Sequence, residues 1–253
     1  MWKFREIPSI EEPIFNNTLE KFYNIGIEGL VRENIQNSLD AKIPESDLPV
    51  EVIIETGIIK DEDVPGMEEV RKHITSLKGE NEYTNETIVH MQKEMQKTEV
   101  PYLSFEDCNT KGLTGAEHGE AVQEGDTWGV YAYKKGVHFV EEDRNIENVR
   151  GGSYGVGKIA CNAASDIYMM IFSNCDQEGK KHIGGTIQLI EHNLDHVNFR
   201  ASGYLTRKIQ NVYYPFQNNV ENGFSSVFQK NTRGLKIVIP YLRKQYLGVE
   251  NVV

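Results

Sequence analysis

The segment Glu33–Ala41, ENIQNSLDA, decides how this chain is interpreted. It lies in a stretch, Ile27–Lys42, where apolar residues recur at three- and four-residue steps, so we predict an amphipathic helix. At about 100° per residue, Glu33, Asn37 and Asp40 share a stripe roughly 60° wide. The apolar residues are expected on the other side of the helix, in the core; they are Ile27, Val31, Ile35 and Leu39.

A carboxylate, a carboxamide and a second carboxylate on one helix face suit nucleotide chemistry. The asparagine offers a neutral oxygen ligand to a Mg²⁺ ion that bridges phosphate oxygens. The glutamate can orient and deprotonate a water aimed at a γ-phosphate. A solvated polar face is the simpler explanation of such a triplet alone, so the interpretation depends on motifs elsewhere.

A second motif, VRGGSYGVGKIACNAAS at Val149–Ser165, contains four closely spaced glycines and a lysine. A P-loop needs Ser or Thr after the lysine to coordinate Mg²⁺, and Ile159 stands there. A dinucleotide fingerprint also fits poorly, because no apolar strand leads into the loop. Glycines ahead of a helix present free N–H groups to an anion, and Lys158 adds positive charge. We therefore favour a phosphate-binding loop over the alternative, a surface turn.

The rest of the chain predicts an α+β protein. Residues 66–98 have an amphipathic helical pattern with a polar break, and a small-residue helix follows the glycine loop. A short strand, PYLSFED, ends in two acids at Asp107 and leads into the turn-rich CNTKGLTG. Further strands are predicted at 49–59, 166–173, 183–192 and 234–242. Helices and strands alternate too unevenly for a regular doubly wound sheet.

The composition of the chain indicates which kinds of partner and which compartment to expect. The formal net charge is −11, so direct nucleic-acid binding by this domain as a whole is not expected. The three cysteines lack metal-ligand spacing, as is typical of a reducing cytosol. No apolar stretch is long enough to span a bilayer, and no secretory signal is visible. We expect a soluble, cytoplasmic protein without membrane contact.

The form E-x-x-x-N-x-x-D-A, the strand-terminal Asp107, the block GGSYGVGK and the late TRGLKIVIP occur in an order that resembles the GHKL ATPase superfamily. That superfamily includes gyrase B, heat-shock-90 chaperones, sensor histidine kinases and MutL-type repair proteins. The resemblance implies a Bergerat-type fold, a two-layer α/β sandwich with a mixed sheet and helices on one face. It also implies one ATP-binding domain over residues 1–253, with insertions near 61–98 and 116–148.

The resemblance assigns roles to the helix stripe and to the strand end. Glu33 is the implied general base and Asn37 the implied Mg²⁺ ligand, while Asp40 joins the water and adenine network. Asp107 is the implied acceptor for the adenine amino group, and Gly112 is the turn glycine near the base.

The glycine block is the implied lid over the ATP phosphates. Its residues are Gly151, Gly152, Gly155, Val156, Gly157 and Lys158.

Two positions depart from the family pattern. Asn109 stands near the place of a family glycine beside the adenine, and asparagine tolerates left-handed backbone. Leu235 replaces the family threonine that supports the adenine-binding aspartate. Thr232 is the nearby hydroxyl that could substitute for it.

These features together predict Mg²⁺-dependent ATP binding and slow hydrolysis by a nucleotide-gated conformational or dimerisation switch. Two alternatives remain: a histidine-kinase-like phosphotransfer domain and a nucleotide-binding scaffold without turnover. The implied partners are a second copy or a fused or separate effector domain. By resemblance alone, bacterial DNA processing or phage defence is the expected setting, and the chain is expected either to be the N-terminal part of a longer protein or to work with a separately encoded effector.

Overall fold

The computed structural model describes residues 1–8, 26–44, 46–79, 81–133, 156–218 and 223–247. The helices in this part of the chain are α1 (Gly26–Asp40), α2 (Met67–Ser76), α3 (Glu82–Glu94), α4 (Trp128–Tyr133) and α5 (Val156–Ala163). The strands are β1 (Trp2–Glu6), β2 (Glu51–Lys60), β3 (Glu99–Cys108), β4 (Met169–Cys175), β5 (Lys181–Gln188), β6 (His192–Leu194), β7 (Val197–Leu205), β8 (Arg207–Ile209), β9 (Val212–Tyr214), β10 (Phe216–Gln217) and β11 (Gly234–Pro240).

One large sheet organises the chain. Its strands follow the order β1-β7-β5-β4-β11-β3-β2, with β6 added to β7 and β10 added to β5, while β8 and β9 form a separate hairpin. Every pairing between these described strands is antiparallel. Strand β11 therefore lies between β4 and β3, and β2 forms one edge.

The central strands are buried on both faces of the sheet. In β4, Met169 and Ile171 belong to one apolar cluster, whereas Met170 and Phe172 belong to another. Successive side chains of a strand point to opposite faces, so the two clusters lie on opposite sides of the sheet. We call the side of Met170 and Phe172 the front face and the side of Met169 and Ile171 the back face.

The front face is covered by α1, α4 and α5. Leu30 and Val31 of α1, Trp128 of α4 and Ala160 and Cys161 of α5 pack into the front cluster. Buried apolar surface of this kind is the main favourable term in folding, so it fixes these three helices on the sheet.

The back face is covered by α2 and α3. Their buried apolar residues recur at helical spacing, and they are Met67, Val70, Ile74, Ile88 and Met91. Helix α3 begins where it does because the Asn81 side chain accepts a 2.9 Å hydrogen bond from the backbone N–H of Thr84. Asparagine is among the best residues at this capping position.

The α+β class predicted from the sequence is confirmed, and the predicted strands and α1–α3 lie close to their expected positions. The expectation of helices on one face is wrong for the described residues, because α2 and α3 form a third layer behind the sheet. Residues 61–98, expected to be an insertion, supply this layer. The expected mixed sheet is also not observed among the described strands, whose pairings are all antiparallel.

The predicted excursion at 116–148 is only partly described. Its first part contains a short 3₁₀ turn, Ala116–His118, and α4, whose Trp128 is fully buried. None of the helices in the described ranges is long and apolar enough to cross a membrane.

Candidate functional site

Asp107 lies near the C-terminal end of β3, close to the last turn of α1. Asp107 pairs with Val52 of β2, and the preceding residue, Glu106, pairs with Lys236 of β11. The Asp107 side chain is a buried carboxylate on the front face, with only 7% of the residue exposed. A buried charge of this kind needs specific partners.

Three hydrogen bonds hold the Asp107 carboxylate. Thr110 Oγ1 donates to Oδ1 at 2.6 Å, and the backbone N–H of Leu235 donates to the same oxygen at 2.8 Å. Ser38 Oγ of α1 lies 3.3 Å from Oδ2 and 3.0 Å from the carbonyl oxygen of Asn34, so its single proton serves one acceptor at a time. A carboxylate oxygen can accept two hydrogen bonds, and Oδ2 therefore retains capacity for a further donor.

Burial and hydrogen bonding act on Asp107 in opposite directions. Burial raises the pKa of this carboxyl group, while the bonds from Thr110 and Leu235 and the positive charge of Lys230 lower it in part. The donors therefore favour the ionised form, which is the form that accepts hydrogen bonds with both oxygens.

Asp107 is supported although Leu235 stands where the resemblance would place a threonine. Leu235 contributes its backbone N–H, and the hydroxyl comes from Thr110, three residues beyond Asp107. Thr232, the substitute expected from the sequence, instead accepts a 2.6 Å hydrogen bond from Lys230. The hydroxyl that was expected from Thr232 is thus supplied by Thr110, in the loop that follows Asp107.

Gly234 makes this arrangement sterically possible. A Cβ atom there would lie 2.4 Å from both the carbonyl oxygen and Oδ1 of Asp107, and the residue has φ of +138°. Side chains other than hydrogen are excluded at such distances, so β11 reaches the carboxylate only through glycine.

The loop after Asp107 keeps the turn predicted for it. Asn109 has φ of +62° and its side-chain amide donates to the Pro49 carbonyl at 2.9 Å. Gly112 has φ of +68°, and a Cβ there would lie 2.7 Å from the Cys175 carbonyl oxygen. Asn174 fixes the loop by accepting from the Leu113 N–H at 2.7 Å and donating to the Leu113 carbonyl at 2.8 Å.

Helix α1 buries a face that only partly matches the expected one: Val31 is buried and Ile27 and Ile35 pack against the front cluster, as predicted, but Leu39 does not. Its buried residues are Leu30, Val31, Asn34 and Ser38, while Leu39 is 51% exposed. At about 100° per residue, the buried face is rotated by roughly 60–70° from the predicted apolar stripe, towards Glu33 and Asn37. The expected burial of Leu39 was wrong, because polar Asn34 and Ser38 are buried through specific contacts to Cys161 and Asp107.

The rotation puts the acidic stripe of α1 at the border of the buried face. Glu33 and Asp40 are half-buried, and Asn37 is exposed. Asp40 Oδ1 accepts a 2.9 Å hydrogen bond from Gln36, which holds its carboxylate against the helix. Two residues of the stripe are therefore partly covered, while Asn37 faces solvent.

Helix α1 also contacts α5, the helix that begins inside the glycine block. The Asn34 side-chain amide lies 3.6 Å from Cys161 Sγ. Burial, together with the negative charge of Glu33, raises the pKa of the Cys161 thiol to about 12. Glu33 is therefore close enough to act electrostatically on α5, and Cys161 is a neutral packing residue at neutral pH.

The glycine block is only partly within the described residues. Val156, Gly157 and Lys158 form the first turn of α5. Gly151, Gly152 and Gly155 lie outside the described residues. Glu33, Asn37 and Asp40 lie on α1, which reaches Asp107 through Ser38, while Asn109 and Gly112 lie in the loop that follows Asp107.

A buried ion cluster lies behind Asp107. Lys230, fully buried, contacts Glu106 at 3.0 Å, and Lys236 contacts the other oxygen of Glu106 at 3.2 Å. Glu106 and Asp107 point to opposite faces of β3 because they are adjacent in the strand. The cluster anchors the end of β3 to β11 from the back, which fixes the backbone that carries Asp107.

Two other features lie away from this site. A shallow groove of about 750 Å³ is lined only by residues between Asn81 and Lys93 on α3. His90, Glu94 and Asp166 bring their polar atoms within 4.8 Å of one another. His90 Nε2 is 2.8 Å from Asp166, and Glu94 pairs with Lys97, so each of the three groups already has a partner.

Sequence reasoning missed Ser38, Thr110, Gly234 and Asn174. Ser38 and Thr110 both lie close in sequence to predicted site residues: the first follows Asn37 in the same motif, and the second lies three residues after Asp107. Gly234 reaches the site through the pairing of β11 with β3, and Asn174 lies beside it through the pairing of β4 with β11; no local pattern encodes either pairing.

No protein-family model matches this sequence, and no curated protein is significantly similar to it.

Proposed function

We propose that this chain is an ATP-binding domain of the GHKL type that hydrolyses ATP slowly with Mg²⁺. The observation that carries the proposal is Asp107, a buried carboxylate held by Thr110 and Leu235 while Oδ2 retains capacity for one more donor. An exocyclic amino group such as that of adenine supplies such a donor. We further propose that the front face with α1 and α5 forms the Bergerat-type sandwich and that α2 and α3 are additions to it.

In this proposal α1 supplies the phosphate end of the site. Glu33, half-buried at the border of the core, orients and deprotonates the attacking water. Asn37 offers a hard, neutral oxygen of the kind Mg²⁺ accepts, and its exposure leaves room for retained waters. The metal would neutralise charge that develops on the transferred phosphoryl group. Lys158 and the glycine block are the proposed phosphate-binding lid.

The support of Asp107 bears on the competing scaffold hypothesis. A scaffold without turnover was favoured by the replacement of the family threonine with Leu235. Thr110 donates its hydroxyl to Asp107 Oδ1, the oxygen that also accepts from the Leu235 N–H. The presence of leucine at position 235 is therefore no argument for a weakened adenine contact. Hydrolysis therefore remains the proposed activity, with a nucleotide-gated change of conformation or association as its output.

The rate of ATP hydrolysis by the Glu33→Ala variant tests the hydrolytic step. We expect ATP affinity close to that of the wild type and ADP production lower by about 100-fold or more, as is usual on loss of a general base. The matched control is Glu28→Ala, an exposed acid in the first turn of the same helix, which leaves both quantities unchanged. Equal turnover by Glu33→Ala and the wild type would remove the hydrolytic role from α1 and favour the scaffold.

A further inference from the structure

Strand β2 is a long and regular sheet edge. It pairs with β3 in unbroken register over ten residues, from Glu51 opposite Cys108 to Lys60 opposite Glu99. Within the described ranges it has no partner on its other side. That side presents a row of backbone N–H and C=O groups able to pair with another strand.

The edge lacks the proline, the bulge and the short length that often prevent such pairing. No proline or bulge interrupts β2, and two isoleucines project from it: Ile53 is 44% exposed and Ile58 is 70% exposed. They lie on opposite faces of the sheet, because their positions differ by an odd number. A strand added to this edge would cover apolar surface on both faces.

We infer that a second copy of this chain adds to β2 through its own β2, antiparallel about a two-fold axis at Thr56. Residues directly opposite each other must share a face, so the axis passes through a residue and not between two residues. An axis at Glu55 would set two glutamates against each other. An axis at Thr56 sets the exposed Ile58 against Ile54 and the exposed Ile53 against Ile59, which is already buried in its own copy, twice each by symmetry.

The charges along β2 agree with the Thr56 register. Glu55 then lies opposite Gly57, which brings no side chain and so no like charge, and Glu51 falls beyond the nine paired positions. Gly57 is kept without a side chain within each copy, since a Cβ there would lie 2.7 Å from the Tyr102 ring. The edge is thus complementary to itself in apolar contact and free of directly opposed like charges.

The resulting assembly is one sheet that continues through both copies. The strand beside the interface, β3, carries Asp107, with Val52 of β2 directly opposite it. The pairing itself requires no nucleotide, so it stands or fails separately from the proposed ATPase activity.

The first test is the oligomeric state by analytical ultracentrifugation of the full chain, without nucleotide, over a concentration series. The wild type is expected to dimerise reversibly. Ile58→Lys is expected to raise the dimer dissociation constant about tenfold or more, because it removes two symmetric apolar contacts. Val89→Lys on α3 is the matched control, since Val89 is 63% exposed on another surface, and it should leave the constant unchanged.

The second test is register-specific. Under mild oxidation Thr56→Cys is expected to form a covalent dimer, whereas Glu55→Cys and the wild type, with its native cysteines, form far less. A wild-type chain that stays monomeric, a dimer insensitive to Ile58→Lys, or equal cross-linking at positions 55 and 56 would each overturn the inference.

Discussion

At the scale of single residues, the Asp107 carboxylate is held by donors from two positions that lie far apart in the sequence. Leu235 provides only a backbone N–H, while the hydroxyl comes from Thr110 in the following turn. The sequence indicated Asp107 because an acid at a strand end before a turn is a recognisable pattern. It could not indicate the partners, because the Leu235 contact depends on the pairing of β11 with β3.

Thr110→Val tests this arrangement, since valine keeps the shape and removes the donor. We expect ATP to bind about tenfold more weakly, as is typical for loss of a hydrogen bond to a charged group. Because the Thr110 bond lowers the pKa of Asp107, its loss raises that pKa further, so the defect grows as the pH falls. Calorimetric titration with ATP from pH 8 to pH 5 measures the effect, and Thr232→Val is the control. Equal ATP affinities for the two variants would contradict the assignment of Thr110 as the donor to Asp107.

Gly234→Ala tests the close approach of β11 to Asp107. A methyl group placed 2.4 Å from two Asp107 oxygens must displace the strand or the carboxylate, and we expect a loss of about 2 kcal/mol or more in the free energy of unfolding. Gly223→Ala shares a positive φ, of +64°, but meets no atom within 4 Å, so it should cost clearly less. Urea unfolding of both variants measures the difference, and similar losses would show that backbone strain alone accounts for the effect.

At the scale of secondary-structure elements, periodicity located α1 well and oriented it poorly. The three- and four-residue spacing of apolar residues fixed its existence, and its observed bounds are Gly26–Asp40. Its buried face is set instead by Asn34 and Ser38, whose polar contacts to Cys161 and Asp107 no hydropathy pattern records. Strand β1 was missed altogether, because WKFRE is short and pairs with the distant β7.

The packing of α2 against β6 gives a pH-dependent stability. His73 Nδ1 lies 2.8 Å from His192 Nε2, with the rings of Phe4 and Phe199 around His73. Burial lowers the pKa of His73 to about 4 and also lowers the pKa of His192. Both histidines are therefore neutral in the folded protein at pH values where the unfolded chain is already protonated.

We expect the free energy of unfolding to fall as the pH drops from about 6.5 to about 4, because the unfolded state then binds protons that the folded state does not. The loss attributable to His73 is on the order of 2–3 kcal/mol. His73→Phe should reduce the slope between these pH values. Phe199→Leu, which alters the packing and keeps both histidines, should lower stability without changing the slope. Parallel curves for His73→Phe and the wild type would refute this explanation.

At the scale of the whole molecule, local patterns predicted the α+β class but not the layering. The run Met169–Cys175 is buried on both faces, and a continuous apolar run does not say what covers each one. Residues 61–98, which the resemblance marks as an insertion, form α2 and α3, which pack on the back face through residues such as Val70 and Ile74. Long-range pairing, and not local propensity, decides this architecture.

The layering also separates two tasks. The front face holds Asp107 and the acidic stripe of α1, while the back face supplies buried apolar surface and the Glu106 ion cluster. The β2 edge beside β3 is the surface proposed for association with a second copy. Substitutions on the back face should therefore act mainly on stability, and substitutions around Asp107 mainly on nucleotide affinity.

The most direct test of the central claim is a calorimetric titration of ATP with Mg²⁺ into the wild type and Asp107→Asn. In the variant, the carboxamide can present an N–H group where adenine also offers one, so we predict Mg²⁺-dependent binding by the wild type and an affinity about tenfold or more weaker for the variant. Absence of binding by the wild type at millimolar ATP, or equal affinity of the two proteins, would contradict the assignment of Asp107 as the adenine acceptor.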